Sequence, residues 1–338
     1  MGDNKTVSPK IEKAKVYRRA NKKMPTKTLA RLMLSETNGM FENIEQARRT
    51  LRYIEGKDGK KNRAKLRDKS FIIEDARPKS PTPMPESWSK VKPVFKLPIA
   101  CNRIAFMSDF QVPFHDNIAI EAFVKWVKQK NVNTVFINGD FIDFYGISDF
   151  QKDPTQRHFS EEIEACKAML AWLRDQFPTQ TIYYNLDANH EKRWERWKFR
   201  RPEIMGMAEF ELETILKLND YNIIPLKKHK YILIGKLPVL HGDTIFGRWG
   251  SGVSKARSVF LKTLKPCIAS HVHITDEYTK RNLAGDMITC WTTGCFMNIN
   301  AVEYNEHNDY NNGGAYIETD NDGTYRVENK RIENARVY

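Results

Sequence analysis

The stretch TVFINGDFID, residues 134–143, decides the fold class that this sequence predicts. Its first four residues are β-branched or aromatic, as in a buried strand, and a glycine and two aspartates follow closely. Four other apolar runs, at 103–107, 181–186, 238–240 and 267–269, have the same form. Helical periodicity at 121–129 and 161–177 separates the first three runs. Strands that alternate with helices predict an α/β fold whose strands are largely parallel and buried.

Each of the five runs is followed by carboxylate, imidazole or amide side chains, at the strand ends where ligands bind in α/β folds. Any one of these residues alone is more often a turn former or a structural hydrogen-bonding group. Together they are oxygen and nitrogen donors that suit Mn, Fe, Zn or Mg, and they exceed what one ion needs. The set therefore predicts two divalent metal ions, with Mn favoured. The candidate residues are Asp109, Gln111, Asp140, Asp143, Asn189, His190, His241, His271 and His273.

In order and spacing these segments resemble the signature of the calcineurin-like metallophosphoesterase superfamily, written D-x-H, G-D-x-x-D, G-N-H-E/D, H and G-H-x-H. The matching segments are SDFQ (108–111), GDFID (139–143), DANHE (187–191), HGD (241–243) and SHVH (270–273). The resemblance covers the chain from about residue 101 onward, and residues 291–314 and the N-terminal helices are similar to bacteriophage members. It implies two β-sheets sandwiched between helices, and hydrolysis of a phosphate ester by a water that two metal ions activate.

The resemblance also implies a role for each candidate residue. Asp140 would bridge both metal ions. Asp109, Gln111 and His273 would complete the first site. Asn189, His241 and His271 would complete the second site. His190 would lie beside the phosphate and stabilise it or protonate the leaving oxygen. Asp143 would orient the His190 imidazole.

The sequence departs from the signature at three positions. Gln111 stands where the family usually has His, and its neutral carbonyl is a weaker ligand, so we expect a looser first site or a harder ion such as Mn or Mg. His115, four residues further on, is a candidate replacement ligand. Ala188 and Ser270 stand where Gly is common, and a positive φ at either position would be strained.

The basic charge of the chain is concentrated in its first third. Residues 1–100 contain 25 Lys and Arg against 11 Asp and Glu, whereas residues 101–338 contain 30 against 31. We predict a basic helical module at 1–78, a proline-rich linker at 79–100 and the phosphoesterase domain at 101–338. Within the module we predict one helix that begins near residue 26 and a second behind Asn43, with basic residues in a following loop.

A helix–turn–helix with arginines on its second helix predicts a nucleic-acid-binding module, with DNA the favoured partner. The alternative is a solvated appendage that docks onto the catalytic domain. Trp194 and Trp197, which alternate with basic residues, either pack inward or form a stacking surface for a single strand. The candidate nucleic-acid-binding residues are Arg48, Arg49, Arg52, Lys60, Lys61 and Arg63.

Three functions agree with this sequence: a DNA nuclease or phosphodiesterase, which the charge favours; a phosphomonoesterase; and a non-catalytic nucleic-acid-binding protein. No run is long and apolar enough to span a membrane, and no secretory signal is visible. The five cysteines form no C-x-x-C pair, which favours a reducing compartment. We therefore expect a cytoplasmic protein without a membrane partner, in the bacterial host cytoplasm if it is phage-encoded.

Overall fold

The computed structural model describes residues 8–66, 68–72, 84–148, 158–246, 253–301 and 308–338. The chain divides into two compact units, Met1–Trp88 and Ser89–Tyr338. In the described part of the chain, no helix is long and apolar enough to cross a membrane.

Two mixed β-sheets form the centre of the larger unit. The first sheet contains β2 (Arg103–Met107), β3 (Thr134–Ile137), β4 (Thr181–Asn185), β5 (Ile223–Leu226), β11 (Asn312–Thr319), β12 (Tyr325–Glu333) and β13 (Arg336–Val337). The second contains β1 (Phe95–Lys96), β6 (Ile232–Ile234), β7 (Leu237–Leu240), β8 (Cys267–Ala269), β9 (Asp276–Arg281) and β10 (Met287–Thr292). Their strand orders are β13-β12-β11-β2-β3-β4-β5 and β1-β6-β7-β8-β10-β9.

The five predicted strands are present as β2, β3, β4, β7 and β8, and the α/β class is confirmed. The sheets are mixed rather than largely parallel. Strands β2 to β5 are parallel, but β11, β12 and β13 join them in antiparallel pairs. Strand β11 is almost wholly buried but begins with Asn312, Gly313 and Gly314, which are residue types typical of turns. Strands β12 and β13 are partly exposed, so none of the three shows a continuous apolar run.

The two sheets pack face to face, with helices on both outer faces. Apolar side chains from both sheets, among them Phe106, Phe136 and Val239, form one core between them. On the far side of the first sheet lie α5 (Asn117–Lys128) and α6 (Phe159–Gln176), which confirm the two predicted helices. On the far side of the second lies α9 (Lys255–Thr263). The order of layers is therefore helix, sheet, sheet, helix. The remaining α-helices of this unit are α7 (Glu191–Phe199) and α8 (Leu212–Ile215).

The predicted linker at 79–100 contains one strand of this unit. Residues 84–94 have no regular secondary structure, but Phe95 and Lys96 pair in parallel with β6 as β1. Residues 79–83 lie outside the described residues.

The smaller unit is helical and has its own core. Its helices are α1 (Pro9–Ala20), α2 (Thr26–Glu36), α3 (Ile44–Ile54) and α4 (Lys60–Lys65). Helices α2 and α3 confirm the prediction, and Asn43 caps α3 by accepting a 2.9 Å hydrogen bond from the backbone of Gln46. The prediction of a loop for Lys60, Lys61 and Arg63 is wrong, since all three lie in α4. The segment has no apolar periodicity that would signal a helix.

Helix α1 was not predicted, and it is tied to α3 by a buried ion pair. The guanidinium of Arg18 contacts the carboxylate of Glu55, and both side chains are almost inaccessible to solvent. Thr26 and Lys57 also contact that carboxylate, at 2.9 and 3.1 Å. A buried charge of this kind needs such partners, because leaving it alone would strongly destabilise the unit.

Candidate metal centre

The strand ends of both sheets converge on one cluster of possible ligands. Asp140 follows β3 in the first sheet, whereas His241 and His271 follow β7 and β8 in the second. One ligand atom from each of these three residues lies within 4.8 Å of the others. Oδ2 of Asp140 is 3.1 Å from Nε2 of His241 and 3.9 Å from Nδ1 of His271. The structure therefore brings together three residues that the sequence assigned to a metal site.

His241 is oriented for metal binding by the main chain. Its Nδ1 lies 2.8 Å from the carbonyl oxygen of Asn138, which only accepts hydrogen bonds, so Nδ1 carries the proton. Its Nε2 faces two more acceptors, Oδ2 of Asp140 and Oδ1 of Asn189, the latter at 3.0 Å. Burial lowers the pKa of His241, but the charge of Asp140 outweighs it and raises the pKa to about 10. The point where these three atoms converge is thus a place for a cation, either a proton or a metal ion.

The predicted first-site residues form a second group beside Asp140. Oδ1 of Asp109 is 3.3 Å from Nε2 of His273, and Nε2 of Gln111 is 3.4 Å from the same ring nitrogen. Gln111 therefore lies beside His273, and only its Oε1 could bind a cation. Nδ1 of His115, the candidate replacement ligand, is buried and has no hydrogen-bond partner among the described residues.

Four buried atoms of these groups have no hydrogen-bond partner within the described residues. They are Oδ1 of Asp109, Oδ2 of Asp140, Nδ1 of His271 and Nδ1 of His273. Buried polar atoms are nearly always paired, so a cluster of unpaired ones needs a reason. Burial raises the pKa of Asp140, but the charges of His190 and His241 outweigh it and hold the pKa well below its ordinary value. An ionised carboxylate among imidazole and amide donors fits divalent cations.

The backbone of the ligand loops is held in the left-handed region. Asp109, Gln111, Asp140, His271 and His273 have φ of 57°, 47°, 48°, 74° and 58°. Each such non-glycine residue costs about 1 kcal/mol or more, and strain of this kind is concentrated at functional sites. The concern about Ala188 and Ser270 does not apply, because neither has a positive φ. Instead Gly139 is required, since its φ is 93° and a Cβ there would lie 2.2 Å from that of Ala188.

Glu191, a member of the DANHE segment to which the sequence gave no role, holds the Asp140 loop in place. Its two carboxylate oxygens accept hydrogen bonds from the backbone N–H groups of Asp140 and Phe141, each at 3.0 Å. The hydroxyl of Tyr184 donates a third bond at 2.6 Å. Glu191 therefore fixes the main chain from which Asp140 projects.

His190 and Asp143 lie together, as predicted, but the main chain of Asp143 makes the closer contact. Nδ1 of His190 is 2.9 Å from the carbonyl oxygen of Asp143 and 3.3 Å from its carboxylate. Nε2 of His190 is 3.7 Å from Oδ2 of Asp140, which places the imidazole beside the ligand cluster. Arg193, one turn along α7, donates a 2.6 Å bond to the same carbonyl oxygen. These contacts orient His190 toward the cluster.

The tryptophans of α7 pack inward. Trp194 is buried and stacks on Phe144, and its indole N–H donates to the carbonyl oxygen of Phe210. Trp197 stacks on Trp194, and the guanidinium of Arg201 lies 3.9 Å from its ring centroid. A stacking surface for bases is therefore the wrong interpretation for Trp194.

The basic candidates of the smaller unit line two shallow grooves. Arg48, Arg49 and Arg52 line a groove of about 500 Å³ together with Glu42, Glu45 and Asp58. In this groove Arg48 pairs with Glu45 at 3.0 Å. The second groove, about 410 Å³, is lined by Lys60, Arg63, Ala64, Lys69 and Ile72 and has no acidic residue in its described lining. Lys61 lies on the same helix and is exposed.

No model of a known protein family matches this chain, and no curated protein shows significant similarity to it.

Replacing Glu191 by Ala should weaken metal binding about 10- to 100-fold. The reason is that the backbone N–H groups of Asp140 and Phe141 lose the carboxylate that accepts their hydrogen bonds. Competition with a chelator, using Mn as the metal, would measure this. Glu195→Ala on the same helix is the matched control and should leave the affinity unchanged. Equal affinities in the two variants would contradict the role of Glu191.

The buried carboxyl group of Glu162 should make the free energy of unfolding depend on pH. It is 5% exposed and accepts a hydrogen bond from the backbone of Tyr145. Burial and the charge of Asp143 raise its pKa from 4.5 to about 7, so the folded protein binds the proton more tightly than the unfolded chain. Ionising Glu162 therefore lowers the free energy of unfolding as pH rises through this window, and the loss is complete above it.

Glu162→Gln removes that loss and retains an acceptor for Tyr145. Relative to the wild type, the variant should gain about 1–3 kcal/mol at alkaline pH and much less at acidic pH. Urea unfolding at about pH 5 and about pH 8 would measure both differences. The neighbouring exposed Glu161, changed to Gln, serves as the control. A gain that is the same at both pH values would refute the explanation.

Proposed function

We propose that this protein is a two-metal phosphoesterase of the calcineurin-like superfamily and that its two packed sheets are that family's sandwich. The observation that carries the proposal is the cluster of buried side-chain oxygens and nitrogens of Asp109, Asp140, His271 and His273, which could bind a metal and have no hydrogen-bond partner among the described residues. When bound, two divalent cations would activate a water for attack on phosphorus and neutralise charge on the phosphoryl oxygens. Mn is the favoured ion, with Fe, Zn and Mg as alternatives, since the donor set contains no thiolate.

Different residues of the chain would bind the metal ions and contact the substrate. Asp140 would be shared by the two ions, with Asp109, Gln111 and His273 completing one site and Asn189, His241 and His271 the other. In support, Oδ2 of Asp140 lies near His241 and His271, and Asp109 and Gln111 lie near His273. His190 faces the cluster with its Nε2 and is held at Nδ1 by the carbonyl oxygen of Asp143. It is therefore placed to contact the substrate phosphate and the leaving oxygen.

Among phosphoesterases, we favour a nuclease or phosphodiesterase that acts on DNA. The support is the basic excess of residues 1–100 and the groove at α4, whose described lining carries three cationic and no acidic residues. Such a surface binds a phosphate backbone without reading its sequence. A phosphomonoesterase is the second candidate, because the ligand cluster itself does not distinguish diesters from monoesters. The five cysteines are buried free thiols, which agrees with a reducing compartment such as the cytoplasm.

Asp140→Asn and His241→Ala should each lower metal-dependent hydrolysis at least about 100-fold, because each removes a ligand from the densest part of the cluster. The assay compares single- and double-stranded DNA with bis- and mono-p-nitrophenyl phosphate, after chelation and re-addition of Mn, Mg or Zn. Asp175→Asn and His158→Ala, both at exposed positions, are the controls. Full activity in either site variant would overturn the metal centre, and hydrolysis of the monoester alone would favour the second candidate.

Binding of DNA should depend more on α4 than on α3. Neutralising Lys60, Lys61 and Arg63 with Gln should weaken binding and reduce the slope of log affinity against log salt by about 2–3, since each contact releases a counterion. The same change at Arg48, Arg49 and Arg52 should have a smaller effect, because acidic residues already share that groove. The test uses the full chain and fluorescence anisotropy over a range of salt concentrations. An unchanged slope in both variants would refute the role given to the smaller unit.

A further inference from the structure

Arg193 is a cationic side chain at the edge of the ligand cluster to which the sequence assigned no separate role. It follows His190 by three residues, so both side chains lie on the same face of α7. Its Nη2 is 3.2 Å from Nε2 of His190, and that same Nε2 is 3.7 Å from Oδ2 of Asp140. The guanidinium and the carboxylate of Asp140 thus approach the same imidazole nitrogen.

The two ends of the guanidinium have different surroundings. Nη1 donates a 2.6 Å bond to the carbonyl oxygen of Asp143 and lies 3.8 Å from its carboxylate, so this end joins α7 to the loop after β3. Nη2 donates to Nε2 of His190 at 3.2 Å, since Nδ1 of that ring faces a carbonyl oxygen and carries the proton, and Nη2 has no carboxylate or carbonyl acceptor in the described part of the chain. A guanidinium holds several N–H donors in one plane, and that geometry suits the oxygens of a phosphate.

The neighbouring cation is already neutralised. Lys192 forms a 2.6 Å ion pair with Asp243, whereas Arg193, among the described residues, contacts His190 directly. The Arg193 side chain is 12% exposed and the His190 side chain is 8% exposed, so each retains a small solvent-accessible surface. A phosphate that contacts Nε2 of His190 therefore comes within reach of Nη2.

We propose that Arg193 binds a non-bridging oxygen of the substrate phosphate beside Nε2 of His190. This inference rests on the proposed phosphoesterase function and adds a second protein contact for the phosphate to that of His190. The contact holds the phosphorus in place beside the cluster, and it is available to phosphate diesters and monoesters alike, because both carry non-bridging oxygens.

Inorganic phosphate is the probe, and its affinity for the full-length, Mn-loaded protein is measured by calorimetry. Arg193→Met, which keeps the apolar stem, should weaken phosphate binding about 10- to 100-fold, as expected for loss of a charged hydrogen bond. Arg193→Lys should recover part of the loss, because a lysine supplies the charge without the planar fork. In both variants Nδ1 of His190 still donates its hydrogen bond to the carbonyl oxygen of Asp143. The fold and the Mn content should therefore stay unchanged.

Arg201→Met is the matched control, because that guanidinium stacks on Trp197 away from the cluster. It should leave phosphate affinity unchanged. With the same ester substrate, Arg193→Met should raise KM, and added guanidinium ion should restore part of the activity of Arg193→Ala.

Two results would overturn the inference in distinguishable ways. If the wild type hydrolyses esters but Arg193→Met and Arg193→Lys both bind phosphate as the wild type does, Arg193 only joins α7 to the Asp143 loop and the phosphoesterase function stands. If the Mn-loaded wild type neither binds phosphate nor hydrolyses any ester, the proposed function and the role of Arg193 fail together.

Discussion

The larger unit buries three carboxylates close together, and the rest of its structure must offset the energetic cost of their burial. Asp109, Asp140 and Glu191 are each at most 1% exposed, yet they lie within one small region of the larger unit. A buried charge is costly unless it is paired and hydrogen-bonded. Glu191 is satisfied by two backbone N–H groups and a tyrosine hydroxyl. Asp109 and Asp140 each retain one unpaired oxygen, and these two oxygens face the histidines of the cluster.

The architecture gathers those histidines from a different sheet. Asp109 and Asp140 leave β2 and β3 of the first sheet, whereas His241 and His271 leave β7 and β8 of the second. Because the sheets pack face to face, the ends of these strands meet at one edge of the sandwich. The loops must turn sharply there, which explains why five ligand residues have left-handed backbone and why Gly139 tolerates no side chain. A packed core on both sides opposes the strain.

The sequence predicted the elements whose signals are local. Strands β2, β3, β4, β7 and β8 are continuous apolar runs, and the ligands follow their ends directly. The role of Glu191 was missed because it depends on contacts with backbone groups about fifty residues earlier in the chain. Likewise, spacing alone did not show that Arg193 reaches the carbonyl oxygen of Asp143. Helices α1 and α4 were missed because their apolar periodicity is weak, and α1 is held by the long-range pair of Arg18 and Glu55.

The neutral side chain of Gln111 affects the net charge of the proposed metal centre. Among the proposed ligands only Asp109 and Asp140 carry charge, because Gln111, Asn189 and the ligating histidines would be neutral when they bind a metal. Two divalent ions held by two carboxylates would leave the centre with a formal excess of two positive charges. A centre of this kind attracts an anion and concentrates its field where the anion sits. A phosphate ester, with one or two negative charges, offsets part or all of that excess, so the weak ligand at position 111 does not conflict with a phosphoesterase site.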